Sequence, residues 1–255
     1  GNHAKNKLKH DGNNTHIEKL IETFGDKDFN ITSYLEIGCG EGIDLYYVLK
    51  NFDIKNIIAV DIGQNILDLS KRQEFDGVNF IRCDCLKLPF EDKSFNTIYS
   101  YGVFHHTNNF EKALIEAKRV LKEEGVLIFY SYKKHKNLFK RFGLFIENFL
   151  LKVFSNFSYE KTKILCYLLT PVILLIFSYP AQLLKLFGFK EVYKKFPLWW
   201  GTSPKNIIHD LTDRLYAPIN TRHDVDELNK ILKKLNFSNF KVLEVRDGLF
   251  CRVVK

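Results

Sequence analysis

The residues best suited to ligand chemistry are the glycines of the run LEIGCGEG at positions 35–42. Gly38, Gly40 and Gly42 allow the backbone to turn sharply after a strand and to approach a ligand closely. A helix that begins after such a turn directs its first free amides toward the ligand. The nicotinamide pattern G-x-G-x-x-G would need glycine at position 43, where this chain has Ile43. The run therefore predicts a ligand-binding turn of another kind, and a plain strand-to-helix turn is the alternative.

Two carboxylates follow the next two apolar runs of the chain. Asp61 ends the run Ile57–Asp61, and Asp84 follows the run Asn79–Cys83. A carboxylate in the position of Asp61 can accept both hydroxyls of a ribose, although this feature does not distinguish the nicotinamide cofactors from S-adenosylmethionine (SAM). Asp84 can accept the exocyclic amine of an adenine, with Leu86 against the ring. A helix-capping role for Asp61 is the alternative.

The cysteines predict neither a metal site nor disulfides. A C-x-C pair, Cys83 and Cys85, lacks the second pair that a zinc site needs, so no metal is expected. An odd number of scattered cysteines predicts free thiols in a reducing compartment. The five cysteines are Cys39, Cys83, Cys85, Cys166 and Cys251.

Two adjacent histidines follow the apolar run Phe95–Tyr101. Imidazole titrates near neutral pH, so His105 or His106 could act as a general base toward a hydroxyl or acid substrate. The alternative, that both histidines only shape a pocket, stays open at this stage.

Apolar runs and helical patterns alternate along the chain, which predicts a mostly parallel sheet with helices on both faces. The five predicted parallel strands are Tyr34–Ile37, Ile57–Asp61, Asn79–Cys83, Phe95–Tyr101 and Val126–Tyr132. The helices predicted among them are Ile17–Phe24, Ile43–Leu49, Asn65–Phe75 and Asn109–Leu121. We therefore expect an α/β fold with a doubly wound, mostly parallel seven-stranded sheet.

The last two strands of that sheet are predicted near the end of the sequence. Asp224 and Glu227 form a capping-box pattern that begins a helix Asp224–Leu235. Two alternating runs follow, Phe240–Val245 and Leu249–Val254, separated by a segment that contains Asp-Gly, a good hairpin signal. The sheet should thus finish in an antiparallel hairpin, after a helical insertion that follows the fifth strand.

Residues 35–132 as a whole resemble the class I, Rossmann-like SAM-dependent methyltransferases of the type 11 group. The matching stretches are LEIGCGEG, IIAVDI, CDCLKLPFEDKSFNTIYSYGVFHHT and AKRVLKEEGVLIFY. The resemblance implies SAM as cofactor, S-adenosylhomocysteine as product, and methionine, ribose and adenine contacts from the glycine turn, Asp61 and Asp84. The expected cofactor-binding residues are Glu36, Gly38, Cys39, Gly40, Gly42, Asp61, Ile62, Asp84, Cys85, Leu86 and Tyr101. The candidate catalytic residues are His106, His105, Tyr216 and His223.

The segment 133–209 differs from the rest in charge and hydropathy. It carries 13 basic and 3 acidic residues, a net charge of +10, whereas residues 1–132 have a net charge of −4. Residues 164–184 contain no charged side chain, and Pro171 and Pro180 are expected to break this run into shorter helices. We expect a helical lid, with contact to an anionic membrane surface or a lipid-like acceptor as one interpretation and packing within the protein as the other. Trp199-Trp200 would flank it.

These observations divide the chain and bound its function. We expect an N-terminal arm and helix at 1–30, a SAM-binding core at 31–132, the helical insertion at 133–209, and a closing helix and hairpin at 210–255. The leading hypothesis is methyl transfer to a small-molecule, glycan or lipid-linked acceptor by a cytoplasmic enzyme, peripheral at the inner membrane face.

Two alternatives stay open. The first is a non-catalytic SAM-binding regulatory protein, and the second is a nucleic-acid methyltransferase. The second is disfavoured, because no Asn-Pro-Pro-Tyr-like sequence follows the fourth strand and no nucleic-acid module is appended. A homodimer is compatible with the sequence.

Overall fold

A computed structural model describes residues 16–29, 32–135, 138–154, 157–189, 203–216, 219–237, 239–245 and 248–255. Seven strands form one sheet in the order β3-β2-β1-β4-β5-β7-β6. The strands are β1 Ser33–Ile37, β2 Asn56–Asp61, β3 Val78–Arg82, β4 Phe95–Tyr101, β5 Leu121–Tyr132, β6 Asn239–Glu244 and β7 Gly248–Val254. Strands β1 to β5 pair in parallel, and β7 pairs antiparallel with both β5 and β6. The predicted fold class is confirmed.

Nine α-helices lie within the described residues. They are α1 His16–Phe24, α2 Ile43–Asn51, α3 Ile66–Leu69, α4 Phe110–Val120, α5 Leu138–Phe154, α6 Tyr159–Ile173, α7 Tyr179–Leu186, α8 Pro204–Tyr216 and α9 Val225–Lys234. The capping box of α9 is present as predicted, since the Asp224 side chain accepts from the Glu227 amide and the Glu227 side chain accepts from the Asp224 amide.

The chain divides into two compact units, which we call the sheet unit (residues 1–133 and 220–255) and the helical unit (residues 134–219). The sheet unit has an apolar core on each face of its sheet. Leu35 and Phe129 belong to one core, and Tyr34 and Tyr99 belong to the other. All five residues of β1 are buried, as expected for the centre of a parallel sheet covered on both faces.

The helix predicted over Asn65–Phe75 is wrong in length. The α-helix α3 covers only Ile66–Leu69, and a separate 3₁₀ turn covers Gln73–Phe75. From Lys71 onward the amides bond to carbonyls three residues back, as in the bond from Arg72 to Leu69. The Ser70 hydroxyl also donates to the Leu67 carbonyl and so competes for helical hydrogen bonding.

The helical unit has a small core of its own. Helix α8 packs against α5 and α6. The buried apolar residues of this core are Leu151, Cys166, Ile173, Leu174, Ile207, Leu211 and Leu215. Buried hydroxyls in the same unit bond to their own helices, because Thr170 donates to the Cys166 carbonyl and Thr212 to the Ile208 carbonyl.

The two prolines do not split the long apolar helix as predicted. Helices α6 and α7 run on through a π-helical turn, Leu174–Ser178, as one helix of 28 residues from Tyr159 to Leu186. Pro171 lacks an amide hydrogen, and the π turn begins three residues after it, where the hydrogen-bond ladder is re-spaced. By length and composition this helix could cross a membrane.

Several sequence predictions fall outside the described residues. These are the N-terminal arm up to residue 15, the pair Trp199-Trp200 and the hairpin turn residues Arg246 and Asp247.

Candidate cofactor and active site

The glycine turn after β1 is fixed by its neighbours. Gly38 has a φ of +76°, and a Cβ at this position would lie 2.1 Å from Cγ2 of Val103. Gly42 has a φ of +77°, and its Cβ would lie 2.6 Å from the ring of Phe75. The Gly38 amide donates to the Val60 carbonyl at 2.7 Å, which holds the turn against the end of β2. Side chains are therefore excluded at both positions by conformation and by space.

Asp61 lies at the carboxyl end of β2 and is hydrogen-bonded to this turn. One carboxylate oxygen accepts from the Gly40 amide at 2.9 Å, and the other accepts from the Gly63 amide at 2.8 Å. The carboxylate is thus fixed in orientation, and each oxygen retains acceptor capacity for a further donor. The side chain of Asn65 donates to the Gly40 carbonyl and closes the other side of the loop.

The end of β3 carries the third predicted contact. Asp84 is exposed, and its Oδ1 accepts from the Leu86 amide at 2.9 Å. Ile62, just beyond Asp61, has 66 % of its surface exposed although it is a large apolar side chain. Cys85 is buried, and burial raises the pKa of its thiol to about 12, so it remains neutral. An adenine between Ile62 and Leu86 would gain an apolar wall, with the Asp84 carboxylate at its edge.

These residues fit the SAM that the sequence implies. Gly40 has a φ of +53°, and a Cβ there would meet no atom within 4 Å, so the backbone borders open space. The two carboxylates follow neighbouring strands, since Asp61 pairs with Arg82 and the Cys83 amide donates to the Asp61 carbonyl. Within the described residues, no group of three or more potential metal-ligating side chains occurs.

Glu36 belongs to a buried acidic cluster that sequence reasoning did not find. The Tyr34 hydroxyl donates to Glu36 at 3.0 Å, and the Tyr99 hydroxyl donates to Asp44 at 2.8 Å. Burial, followed by the nearby charges of Asp44 and Asp61, raises the pKa of Glu36 well above its ordinary value, whereas the bond from Tyr34 opposes this shift. Glu36 therefore lies buried two residues before Gly38, and its surroundings favour the protonated form.

The N-terminal helix reaches the same cluster. The Ile17 amide donates to Asp44 at 3.3 Å, and the His16 ring lies 3.5 Å from the other oxygen of Asp44. The His16 ring also stacks on Tyr101, with 3.9 Å between ring centroids, and Tyr101 stacks on Tyr130 at 4.4 Å. The predicted cofactor residue Tyr101 thus lies in an aromatic stack at the carboxyl ends of β4 and β5.

His105 and His106 lie in a 3₁₀ turn, Phe104–His106, directly after β4. His105 is fully buried, and neither of its ring nitrogens has a well-formed hydrogen bond within the described residues. Burial is the main cause that lowers the pKa of His105 well below its ordinary value, and the charges of His106 and Arg222 add to it. The backbone of Tyr130 opposes the shift but is outweighed. His105 is therefore a neutral imidazole.

His106 is half-buried, and its ring lies 4.2 Å from that of His105 and 5.5 Å from that of Tyr132. The Arg222 guanidinium lies over the Tyr132 ring at 4.8 Å. The two histidines, Tyr132 and Arg222 form one group, which we call the imidazole cluster. Sequence reasoning singled out the histidines but missed Tyr132.

Of the remaining two candidate residues, His223 borders this cluster, and the side chain of Tyr216 is not described. His223 packs its ring 4.3 Å from that of Phe110, and its Nδ1 lies 3.5 Å from the Ser131 hydroxyl. Its amide donates to the Tyr132 carbonyl, so its backbone extends the edge of β5. Tyr216 is the last residue of α8, and its side chain lies outside the described residues.

The chain is similar to known methyltransferases. The methyltransferase-domain family model matches residues 35–129. The phthiotriol/phenolphthiotriol dimycocerosates methyltransferase of Mycobacterium tuberculosis is 30 % identical over 114 residues, which are 44 % of this chain and 42 % of the relative. The fatty-acid O-methyltransferase of Mycolicibacterium smegmatis is 26 % identical over 114 residues, with the same two shares. The chain spans less than half the length of these two relatives.

A solved structure shows the same fold over a longer stretch. The CurJ carbon methyltransferase has a TM-score of 0.52 and 15 % identity, covering 93 % of this chain and 51 % of that one. At this identity the likeness concerns the fold alone, whereas the family match covers the glycine turn and both carboxylates. Residues 35–129 therefore match a methyltransferase-domain family, and the chain has the fold of a known methyltransferase.

Proposed function

We propose that this chain is a SAM-dependent methyltransferase whose acceptor is a lipid-like small molecule. The observation that carries the proposal is the Asp61 carboxylate, held by the amides of Gly40 and Gly63 beside a backbone turn that borders open space. Such a carboxylate suits a ribose diol, because each oxygen can still accept one hydroxyl. The match of residues 35–129 to the methyltransferase-domain family agrees with it.

The chain's own residues would hold and orient the cofactor. SAM supplies a sulfonium-bound methyl group that is already electrophilic. The turn with Gly38, Gly40 and Cys39 would lie under its methionine and ribose, and Ile62 and Leu86 would flank the adenine. The raised pKa of buried Glu36 favours its protonated form, which avoids a second full charge near Asp61. Most of the acceleration then comes from alignment of the acceptor with the methyl group.

The imidazole cluster is the acceptor end in this proposal. It follows β4, and ligands of open α/β sheets bind outside the carboxyl ends of the strands. His106 is half-buried and so has a surface that an acceptor can reach, whereas buried His105 supports it from behind. A hydroxyl acceptor can give its proton to His106, and a carboxylate acceptor needs no base and can pair with Arg222.

The relatives support a lipid-like acceptor over a nucleic acid. Two of them are named for acceptors that are lipids, a dimycocerosate and a fatty acid. A glycan that is carried on a lipid would share the long apolar chain and stays within the proposal. The free thiols of all five cysteines agree with a reducing compartment. We place the protein in the cytoplasm, peripheral at the inner membrane face, as part of this proposal.

A screen with methyl-labelled SAM tests the function. The purified chain is incubated with cell extracts that are then separated into lipid, water-soluble and nucleic-acid fractions. We expect label in the lipid fraction, dependent on Asp61. Label in the nucleic-acid fraction would contradict a lipid-like acceptor and indicate a nucleic-acid acceptor. SAM binding without label in any fraction would favour the non-catalytic alternative.

A second test concerns His106. His106→Ala should lower turnover with the identified acceptor at least about a hundredfold, the scale of general-base contributions, and leave SAM affinity within about twofold. His223→Ala is the comparison, because His223 is the other described candidate of this region and its ring packs on Phe110. Equal losses in the two variants would argue against a special role for His106.

A further inference from the structure

The long helix Tyr159–Leu186 of the helical unit has two unlike faces. One face is buried and follows a helical period through the residues Thr162, Cys166, Thr170, Ile173, Leu174, Ser178 and Ala181. The opposite face is apolar and exposed, through Ile164, Leu168, Val172, Leu175, Ile176, Tyr179, Leu183 and Leu186. The spacing of three and four residues places the second set along one side of the helix. We call this second set the apolar stripe.

The apolar stripe is longer than an ordinary surface patch. From Ile164 to Leu186 a helix extends about 33 Å at about 1.5 Å per residue. Leu168 and Leu175 each have 68 % of their surface exposed, and Leu186 has 82 %. No charged residue interrupts positions 164–184. Contiguous apolar patches of this extent on soluble proteins mark interaction or membrane surfaces.

Basic side chains border the apolar stripe. Lys161 and Lys163 precede it, and exposed Lys185 lies at its far end. Helix α5 repeats the pattern, with exposed Phe142, Phe145 and Phe149 between Arg141 and Lys152. Over the helical unit the sequence has 13 basic and 5 acidic residues, a net charge of +8.

We propose that the apolar stripe docks this protein onto an anionic bilayer, with the helix lying in the plane of the interface. Apolar side chains would enter the boundary between headgroups and acyl chains, and the bordering cations would pair with anionic headgroups. This binding surface goes beyond the proposed methyl transfer and does not depend on SAM.

The two faces of the helix argue for this occupant over a membrane span or a second copy. The face opposite the apolar stripe belongs to the core that α6 shares with α8, so the helix is committed to protein packing along one side. A lone spanning helix would instead expose all its sides to lipid. A second copy would bring two units of net charge +8 together, whereas an anionic surface is complementary in charge.

The first test removes the apolar contribution. The double variant Leu168→Asp/Leu175→Asp is compared with Leu67→Asp/Ile115→Asp, which makes the same kind of change at two exposed apolar positions of the sheet unit. Binding is measured by flotation with vesicles of phosphatidylcholine containing about one third phosphatidylglycerol. We expect the stripe variant to lose at least about tenfold in partition coefficient, and the control to bind like the native chain.

The second test removes the charge contribution. Arg141→Glu/Lys161→Glu should weaken binding to the same vesicles at low salt by about fivefold or more per residue. Lys230→Glu, an exposed lysine on α9, is the control and should have little effect. The native chain should also bind phosphatidylcholine vesicles far more weakly, and high salt should reduce the difference between the two lipids.

Three results would overturn the proposal. The first is a native chain that stays in the soluble fraction at low salt. The second is a dimer in lipid-free sedimentation that Leu168→Asp/Leu175→Asp dissociates, since the apolar stripe would then bind a second copy. The third is vesicle-bound chain that cannot transfer to fresh vesicles, as expected of a spanning helix. Because the assays contain no SAM, and SAM affinity is measured on the same variants, failure here is distinguishable from failure of the proposed methyl transfer.

Discussion

The sheet unit and the helical unit differ in how many of their large apolar side chains are exposed to solvent. Of the 22 large apolar side chains exposed among the described residues, only Ile62, Leu67 and Ile115 belong to the sheet unit, although it is the larger of the two. The other 19 belong to the helical unit, residues 134–219. The sheet unit buries its apolar residues in two cores, whereas the described part of the helical unit has one core of seven buried apolar residues.

This contrast indicates two different tasks. In the sheet unit the polar side chains of Asp61, Asp84 and His106 follow the carboxyl ends of strands, where we propose that the cofactor and the acceptor bind. Ile62, exposed at the end of β2, is an apolar exception at the same place. In the helical unit, exposed apolar side chains form a whole helix face, the apolar stripe. We therefore propose that methyl transfer belongs to the sheet unit and membrane attachment to the helical unit.

The largest effect is expected from Gly38→Ala in the sheet unit. The φ of +76° costs an alanine about 1–2 kcal/mol. The Cβ lying 2.1 Å from Val103 adds about 1–3 kcal/mol of overpacking. We expect a loss of about 2–5 kcal/mol in the free energy of unfolding, measured by urea denaturation, and loss of SAM binding by calorimetry.

Gly40→Ala is the matched control. Its Cβ meets no atom within 4 Å, so only the conformational cost applies and stability should fall by about 1–2 kcal/mol. SAM affinity should still fall, because the methyl group enters the space assigned to the cofactor. If Gly40→Ala destabilises the protein as much as Gly38→Ala, the close approach of Val103 to position 38 does not explain the requirement for glycine there.

A smaller effect is expected from Leu211→Ala in the helical unit. Leu211 is buried in the core between α8 and its neighbours, and its truncation should cost about 2–3 kcal/mol. Hydrogen exchange should show reduced amide protection in α5, α6 and α8. Leu168→Ala, on the exposed side of α6, should leave protection unchanged. Equal effects of the two changes would contradict the assignment of one face to the core and the other to the surface.

The sequence predicted those parts of the structure that depend on local pattern. The seven strands in their sequence along the chain and the capping box of α9 are confirmed, because both depend on adjacent residues, although β5 begins at Leu121 rather than at Val126. The long helix was wrongly divided at Pro171 and Pro180, since a π turn can absorb a missing hydrogen bond. The helix at 65–75 was too long, because its second half bonds three residues back.

The candidate site was predictable to the same degree. Gly40 and Asp61, 21 positions apart, were identified through their motifs and do meet. The pairing of Tyr99 with Asp44 spans 55 positions and carries no motif, so only the folded chain reveals it. Adjacent His105 and His106 also look alike in sequence, whereas the 3₁₀ turn buries one and leaves the other half-buried.

The smallest effect is a pH dependence of stability from His105. Burial lowers its folded-state pKa, so the unfolded chain binds more protons between that pKa and the ordinary value of 6.5. The contribution of neutral His105 to the free energy of unfolding is therefore fully present above pH 6.5. It is lost as the pH falls below that value, by up to about 1.4 kcal/mol per pH unit. Urea denaturation gives the free energy of unfolding at pH 7.5 and at pH 5.5. The difference between these two values should be smaller in His105→Phe than in the native chain.

Glu36→Gln provides a contrast of opposite sign. The raised pKa of Glu36 means that the folded chain binds more protons above the ordinary value of 4.5, so this residue lowers stability as the pH rises. As the pH rises, the free energy of unfolding of the glutamine variant should therefore increase relative to that of the native chain. A pH profile that neither variant alters would show that these two groups do not titrate as their burial requires.

Calorimetric titration of SAM into the native chain, Asp61→Ala and Asp68→Ala tests the central claim most directly. Asp68 is an exposed carboxylate on nearby α3, paired only loosely with Lys71 at 3.5 Å. We predict that the native chain and Asp68→Ala bind SAM equally. Asp61→Ala should lose about 1–3 kcal/mol, the contribution of charge-assisted hydrogen bonds, while its circular dichroism spectrum is unchanged. A native chain that does not bind SAM, or an Asp61→Ala variant with native affinity, would contradict the assignment of the cofactor site.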